Sequence, residues 1–378
     1  EFFDSLANQF FSLPVNDKGK LSTKIIDSPW FFLSWKLDPT IKACLTMLDS
    51  IHSIFGNSNG FYNRLINTTQ PYVTFQFLNM DEFGLSDELY IKMNARGKEL
   101  TSFENFKAWL CSNIEKHQTE RFSKMFQLKV DQEWTDIFWH LRDKKVNTID
   151  SKYLRFFNVI ALFNKIDNVV VAKMESRDRF RINNLRNAFG YTSVAEFEED
   201  KTFNSYTLKR IEKFLEFYRQ FASENEAKLF TDILESNDYI CLVRFYSLTI
   251  FISQVEEIND WNEEDTIQLS HWTRLTNNLI DNVRIDDLTT FIRAIHSLNS
   301  LSNICANVYE EFSKISGTSV GFFNPSQVLE EIEKTQLILS DDTWEPLLIE
   351  FEKHWYFNGQ IKFLLELAGD NYDKGLFV

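Results

Sequence analysis

From Thr101 to the C-terminal end, apolar residues recur every three or four positions in segments divided by short polar breaks. That period marks helices that bury one face. It predicts helices over 131–142, 151–172, 205–235, 238–258, 263–280, 285–315, 325–339, 343–354 and 358–368. Another begins at Thr101 or Ser102, where Thr101 and Glu104 fit a capping box. Residues 1–30 read as helical and then irregular, with a loop over Pro14–Ser22. The segment "DPTIKACLTMLDSIHSIF" is a clear helix, with Asp38 as its cap and Pro39 in its first position; "GNSNG" ends it. Tyr72–Met80 alternates in part and is rich in β-branched and aromatic residues, so it is the best strand candidate. One strand cannot form a sheet alone, and its partners are expected elsewhere. Tyr239–Ile252 is apolar almost all round, carries Arg244 and is too short to span a bilayer. It reads as a buried core helix. The acidic stretch Ser193–Phe203 reads as a connector between subdomains.

Composition strengthens the helical reading. The 378 residues hold only 11 Gly and 6 Pro but 37 Phe and 9 Trp, which favours long helices with aromatic packing. The net charge of −15 makes the chain a poor general ligand for nucleic acid, although a local basic patch remains open. Cys44, Cys111, Cys241 and Cys305 show neither a CxxC pairing nor a His at ligand spacing. They read as reduced thiols of a cytoplasmic protein.

Four constellations carry possible chemistry. Asn94, Arg96, Gly97 and Lys98 interrupt "ELYIKMNARGKELTSFENFKAWL" just before the helix at Ser102, with Lys107 on that helix. A Gly admits close backbone approach, an Arg fork grips phosphate at two points, and a helix N-terminus attracts anions. The plain alternative is a Gly-ended turn whose Arg pairs with a neighbouring Asp. Lys173, Arg177, Arg179, Arg181 and Arg186 form the most basic window, interleaved with Phe180; it reads as a nucleic-acid contact or, more plainly, a solvated face. Asp136 and His140 share a helix face near Glu133, yet no second His stands at ligand spacing, so no metal is assigned. His354 follows Glu350 and Glu352 without a recognisable nucleophile. The chain carries no Walker A, GxSxG, GxGxxG or HNH pattern.

The segment Leu89–Leu110 resembles one in the GmrSD-type restriction and phage-defence proteins, at Asn94, Arg96, Gly97, Leu100, Thr101, Glu104 and Lys107. Ser28–Ile51, His271–Asn282, Ser326–Ile338 and Glu352–Leu365 are similar to the Bacteroidota branch of that family. The resemblance implies a mainly α chain: the C-terminal part of a ParB/sulfiredoxin-like α+β domain over 1–115, then a multi-helix domain over 116–378. It implies a nucleoside triphosphate with Mg2+ in the intact protein, DNA as a partner and no membrane. Asn94, Arg96, Gly97 and Lys107 would form one wall of a phosphate site. The family's Asp-Gly-Gln-Gln-Arg segment is not in this chain, nor is its HNH nuclease. The chain alone is therefore expected to be inactive, its missing wall expected from an upstream domain of the same protein. The rival expectation is a non-catalytic helical interaction scaffold.

Overall fold

The computed structural model describes residues 2–9, 19–56, 100–142, 148–190, 193–316, 320–369 and 374–377, together with 64, 65, 67, 71, 74, 145 and 372. Among them every regular element is a helix. The expected strand at 72–80 lies outside the described residues apart from Thr74.

The chain forms two compact units, 1–92 and 93–378. In the first, α1 (Phe2–Gln9), α2 (Leu21–Ile26) and α3 (Pro39–Phe55) bury Phe2, Ile25, Ile41 and Leu45 in a small core. Asp38 caps α3, accepting from Thr40 N at 2.7 Å and Ile41 N at 3.2 Å, with Pro39 in the first turn.

The second unit opens with α4 (Ser102–His117), α5 (Glu120–Asp131) and α6 (Glu133–His140). The Thr101–Glu104 capping box is present. The helix expected over 131–142 is shorter than that, because the chain breaks at Gln132 between α5 and α6. At the centre lies α7 (Asp150–Asp167), buried on nearly every side from Tyr153 to Ile166. A helix apolar all round has to be surrounded by others. The helices α8 (Ser176–Asn187), α10 (Ser205–Gln220), α11 (Glu224–Glu235) and α4 pack on it.

The acidic stretch read as a connector is instead part of this core. It forms α9 (Val194–Glu199), and Phe197 and Phe203 pack against Phe106 and Trp109. Two large rings outweigh the charges around them when there is a core to enter. The single helix expected over 205–235 is two, because Ser223 and Glu226 form a capping box that starts α11.

The remaining helices are α12 (Tyr239–Gln254), α13 (Glu263–Asp281), α14 (Leu288–Ser300), α15 (Val308–Phe312), α16 (Pro325–Ser340), α17 (Trp344–Glu352), α18 (Lys362–Leu367) and α19 (Lys374–Phe377). As expected, α12 is a core helix, with Leu242–Ile252 buried almost without interruption. No described helix is long and apolar enough to cross a membrane.

One buried cation ties the centre together. Arg155 of α7 donates to Ile233 O at 3.0 Å, Arg186 O at 2.6 Å, Ala188 O at 3.2 Å and Ser236 O at 2.8 Å. These carbonyls sit at the C-terminal ends of α8 and α11, which lack partners within their own helices. Burial, with repulsion from Arg186, lowers the guanidinium to about 10, still charged at neutral pH. Arg155→Met should therefore cost about 3 kcal/mol or more, since each stranded carbonyl loses a charge-assisted bond. Arg155→Lys should recover little, because an ammonium cannot reach both helix ends. Chemical denaturation of the two variants checks this; a cost under about 1 kcal/mol for Met contradicts it.

Candidate functional site

The residues singled out from the sequence are scattered. Asn94, Arg96 and Gly97 lie outside the described residues. Lys107 stands on α4, 2.6 Å from Asp131 Oδ1. In the basic window, Arg181 is buried and gripped by Asp200 at 2.6 Å and Glu199 at 2.8 Å. Arg177 also pairs with Glu199, at 2.6 Å. Arg186 donates to Asn237 O at 2.7 Å, its guanidinium 4.3 Å from the centre of the Tyr239 ring. Lys173, Arg177, Arg179 and Phe180 are exposed, Arg177 with its guanidinium on Glu199. His140 bonds the Asp136 carbonyl oxygen at 2.7 Å, and His354 Nδ1 accepts from Tyr356 N at 3.3 Å. Among the described residues no group of three or more His, Cys, Asp or Glu side chains could hold a metal ion.

The densest chemistry lies where none of those expectations placed it. Gln327, Glu330, Glu331 and Lys334 of α16 share one face, at the spacing that makes side chains on a helix neighbours. Asn278 and Arg274 of α13 face them, and Glu352 ends α17. Lys334 Nζ stands 2.8 Å from Glu330, 2.7 Å from Glu331 and 3.2 Å from Glu352. It also donates to Gly359 O at 2.6 Å. Arg274 holds Glu352 in a two-pronged bond, at 2.9 Å from Nε and 2.5 Å from Nη2. None of these five ionisable side chains is more than 8% exposed.

The turn after α17 closes the cluster. Ile361 N donates to Glu330 at 2.6 Å, and Gln327 donates to Glu331 at 3.1 Å and to Gly359 O at 3.3 Å. Gly359 has φ +85, and a Cβ there would come 2.7 Å from Asn278 Oδ1. Only glycine meets both demands. A second layer continues outward from Arg274, whose Nη1 donates to Tyr309 OH at 3.3 Å. Tyr309 OH donates to Glu345 at 2.8 Å, and its ring stacks on His271 at 3.9 Å.

The charges do not balance: two cations face three carboxylates. Glu331 Oε1 accepts from Lys334, Asn278 and Gln327, but Oε2 has no hydrogen bond; Arg274 Nη2 is 3.6 Å away. Burial pushes the Glu331 carboxyl above the usual range; Lys334 and Arg274 oppose that and Glu352 adds to it. Lys334 and Arg274 are also raised, because the carboxylates around them outweigh the desolvation that would lower them. A network of this kind is not the cheapest filling for a core, since apolar residues of equal volume often stabilise as well or better.

Beside the cluster opens a cleft of about 560 Å³, within the usual range for small-molecule sites. Arg274, Asn278, Glu352 and Gly359 form its polar side, and Phe217, Phe221 and Trp261 line it with rings. The sequence signal for the cluster is slight. In α16 Glu330, Glu331 and Lys334 are interleaved with Val328 and Ile332, and these five residues are buried together.

Lys334→Met should cost about 3–5 kcal/mol, because it leaves three buried carboxylates facing one cation. Glu331→Gln should cost much less, since it keeps the shape and removes the surplus charge. The pH dependence follows from the raised Glu331 carboxyl. A group that holds its proton more tightly when folded stabilises the fold at low pH, and that contribution disappears as pH rises through the folded value. Wild type should therefore lose stability relative to Glu331→Gln as pH rises above about 4, the ordinary carboxylate range. Denaturation midpoints across a pH series check both points; parallel curves for the two proteins contradict the second.

Compared with known proteins, the chain matches no family model, no curated protein and no solved structure.

Proposed function

We propose that this chain is the helical part of a GmrSD-type restriction or phage-defence protein acting in the cytoplasm. In this reading 116–378 is the DNA- or partner-sensing body. The segment around Asn94, Arg96 and Gly97 contributes to a nucleoside triphosphate site in the intact protein. The observation that supports it is a convergence. Three of the segments that carry the resemblance, 271–282, 326–338 and 352–365, are far apart in sequence but meet in the one buried cluster. Residues held together in space by mutual hydrogen bonds are the ones a shared architecture has reason to keep. The exposed Lys173 and Arg179 would then be the part of the basic window available to DNA phosphates.

A second reading, a helical interaction scaffold, has its own support. Trp355 and Tyr356 are 84% and 72% exposed on the turn that the cluster anchors. Large aromatic rings on a rigid turn suit a protein partner.

The two readings separate in one experiment. The intact reading frame is expressed in a bacterial host and challenged with phage, beside Arg96→Ala and the double variant Trp355→Ser/Tyr356→Ser. Arg96→Ala should abolish protection without lowering the melting temperature. In calorimetric titration it should weaken nucleotide binding tenfold to a hundredfold, the cost of one charge-assisted contact at roughly 1.5–3 kcal/mol. Full protection and unchanged nucleotide affinity in Arg96→Ala, with protection lost in the aromatic variant, would leave the scaffold reading.

A further inference from the structure

Another cavity, of about 510 Å³, opens where the C-terminal end of α4 meets α9 and the start of α10. Its lining carries two ammonium groups, Lys116 of α4 and Lys201 just after α9, both accessible to a ligand. Among the described residues neither is ion-paired. The single described carboxylate on the lining is Glu198, which accepts from Trp109 Nε1 at 2.8 Å. The acids next in the chain already have cations: Glu199 has Arg177 and Arg181, and Asp200 has Lys165 at 3.1 Å and Arg181 at 2.6 Å. The described lining therefore keeps one more positive than negative charge, in a chain whose net charge is −15. A neutral donor stands with the lysines. Ser205 Oγ accepts from Gln118 Nε2 at 2.8 Å, which leaves its own O–H to donate. The first amides of α10 add nothing, since Asn204 Oδ1 accepts from Tyr206 N at 3.0 Å and Thr207 N at 3.1 Å. His117 donates Nδ1–H to Asn113 O at 2.8 Å, so the other nitrogen of the neutral ring is an acceptor.

Lys201 occupies a position that suits glycine. Its φ is +49, and it follows α9 where Thr202 N bonds Phe197 O at 3.0 Å and Lys201 N bonds Glu198 O at 3.1 Å. In a helix ending with that pair of bonds the left-handed residue is usually Gly, because a Cβ is disfavoured there. A backbone position held in such a conformation, with a charged side chain on a cavity lining, points to function. We infer that the cavity binds a phosphate-type anion, either inorganic phosphate or the phosphoryl end of a small phosphomonoester, held by Lys116 and Lys201 with the Ser205 hydroxyl. Ammonium groups act on phosphate as point charges. A tetrahedral anion offers a separate oxygen to each of three donors, and a carboxylate has only two. The volume lies within the usual range for small-molecule sites. This inference does not depend on the defence-protein reading, whose nucleotide site is argued from other residues, and it holds or fails whether or not phage protection is found.

The test is isothermal titration of the full chain with inorganic phosphate and, separately, ribose 5-phosphate, at about 0.15 M salt, where exposed charges are screened beyond roughly 8 Å. Saturable one-to-one binding of at least one of them is expected, weakened roughly tenfold by Lys116→Gln and by Lys201→Gly. Lys201→Gly should melt no lower than wild type, because glycine takes the left-handed conformation freely. Loss of affinity without loss of stability separates a binding residue from a structural one. Should Lys116→Gln fail to fold, Lys201→Gly decides alone. Lys314 is exposed and off this lining, so Lys314→Gln should bind as wild type does. Phosphate binding as tightly as the ester identifies a site for free phosphate; tighter binding of the ester assigns the rest of the cavity to its organic body. The inference is overturned if neither ligand binds, if Lys201→Gly binds both as wild type does or melts clearly lower, if Lys314→Gln weakens binding as much, or if acetate binds as tightly as phosphate.

Discussion

Five ionisable side chains held out of water must neutralise one another, and in this protein two cations face three carboxylates. Much of the C-terminal half is arranged around that constraint. Lys334 can serve three carboxylates only because α16 presents Glu330 and Glu331 on its own face and α17 ends with Glu352 pointed at it. Arg274 must reach Glu352 from α13, and the chain must turn back through Gly359 so that a backbone carbonyl meets the ammonium. The positive φ at Gly359 and the Asn278 side chain beside it leave no room for another residue. The surplus charge comes to rest on Glu331, whose second oxygen has no donor.

This arrangement contrasts with that of another buried cation, Arg155. Its partners are carbonyls at two helix ends, which carry only partial charge, so it leaves no surplus carboxylate behind. It joins helices through their ends. The cluster on α13, α16 and α17 has a charge imbalance, a second layer through Tyr309 and His271, and an aromatic cleft at its edge. Packing alone would not require that combination.

The helical class was legible because the apolar period does not depend on tertiary context. α12 could be read as a core helix from its near-continuous apolar run, although Arg244 lies within it; α7 was read as a helix, its central place unseen. The breaks were harder. The start of α11 at Ser223 follows a short capping signal inside an otherwise unbroken helical pattern, and Ser193–Phe203 looked like a solvated connector because its four acidic residues outnumber its two rings. The cluster was hidden for a physical reason. Glu330, Glu331 and Lys334 on one helix read as a water-facing stripe. Only Arg274 and Glu352, from distant segments, make burial affordable. The basic window shows the reverse: Arg181 looked available to phosphate, and it is neutralised by Glu199 and Asp200 from the next helix.

The central claim is that the buried cluster carries one carboxylate more than its cations can neutralise, and that Glu331 bears the surplus. The most direct measurement is a carbon-13 NMR titration of the glutamate side-chain carboxyls, with the Glu331 resonance assigned by its loss in Glu331→Gln. A midpoint clearly above the ordinary glutamate value of about 4.3 is predicted. A midpoint at or below it would mean that Lys334 and Arg274 fully stabilise the ionised form, and would contradict the account.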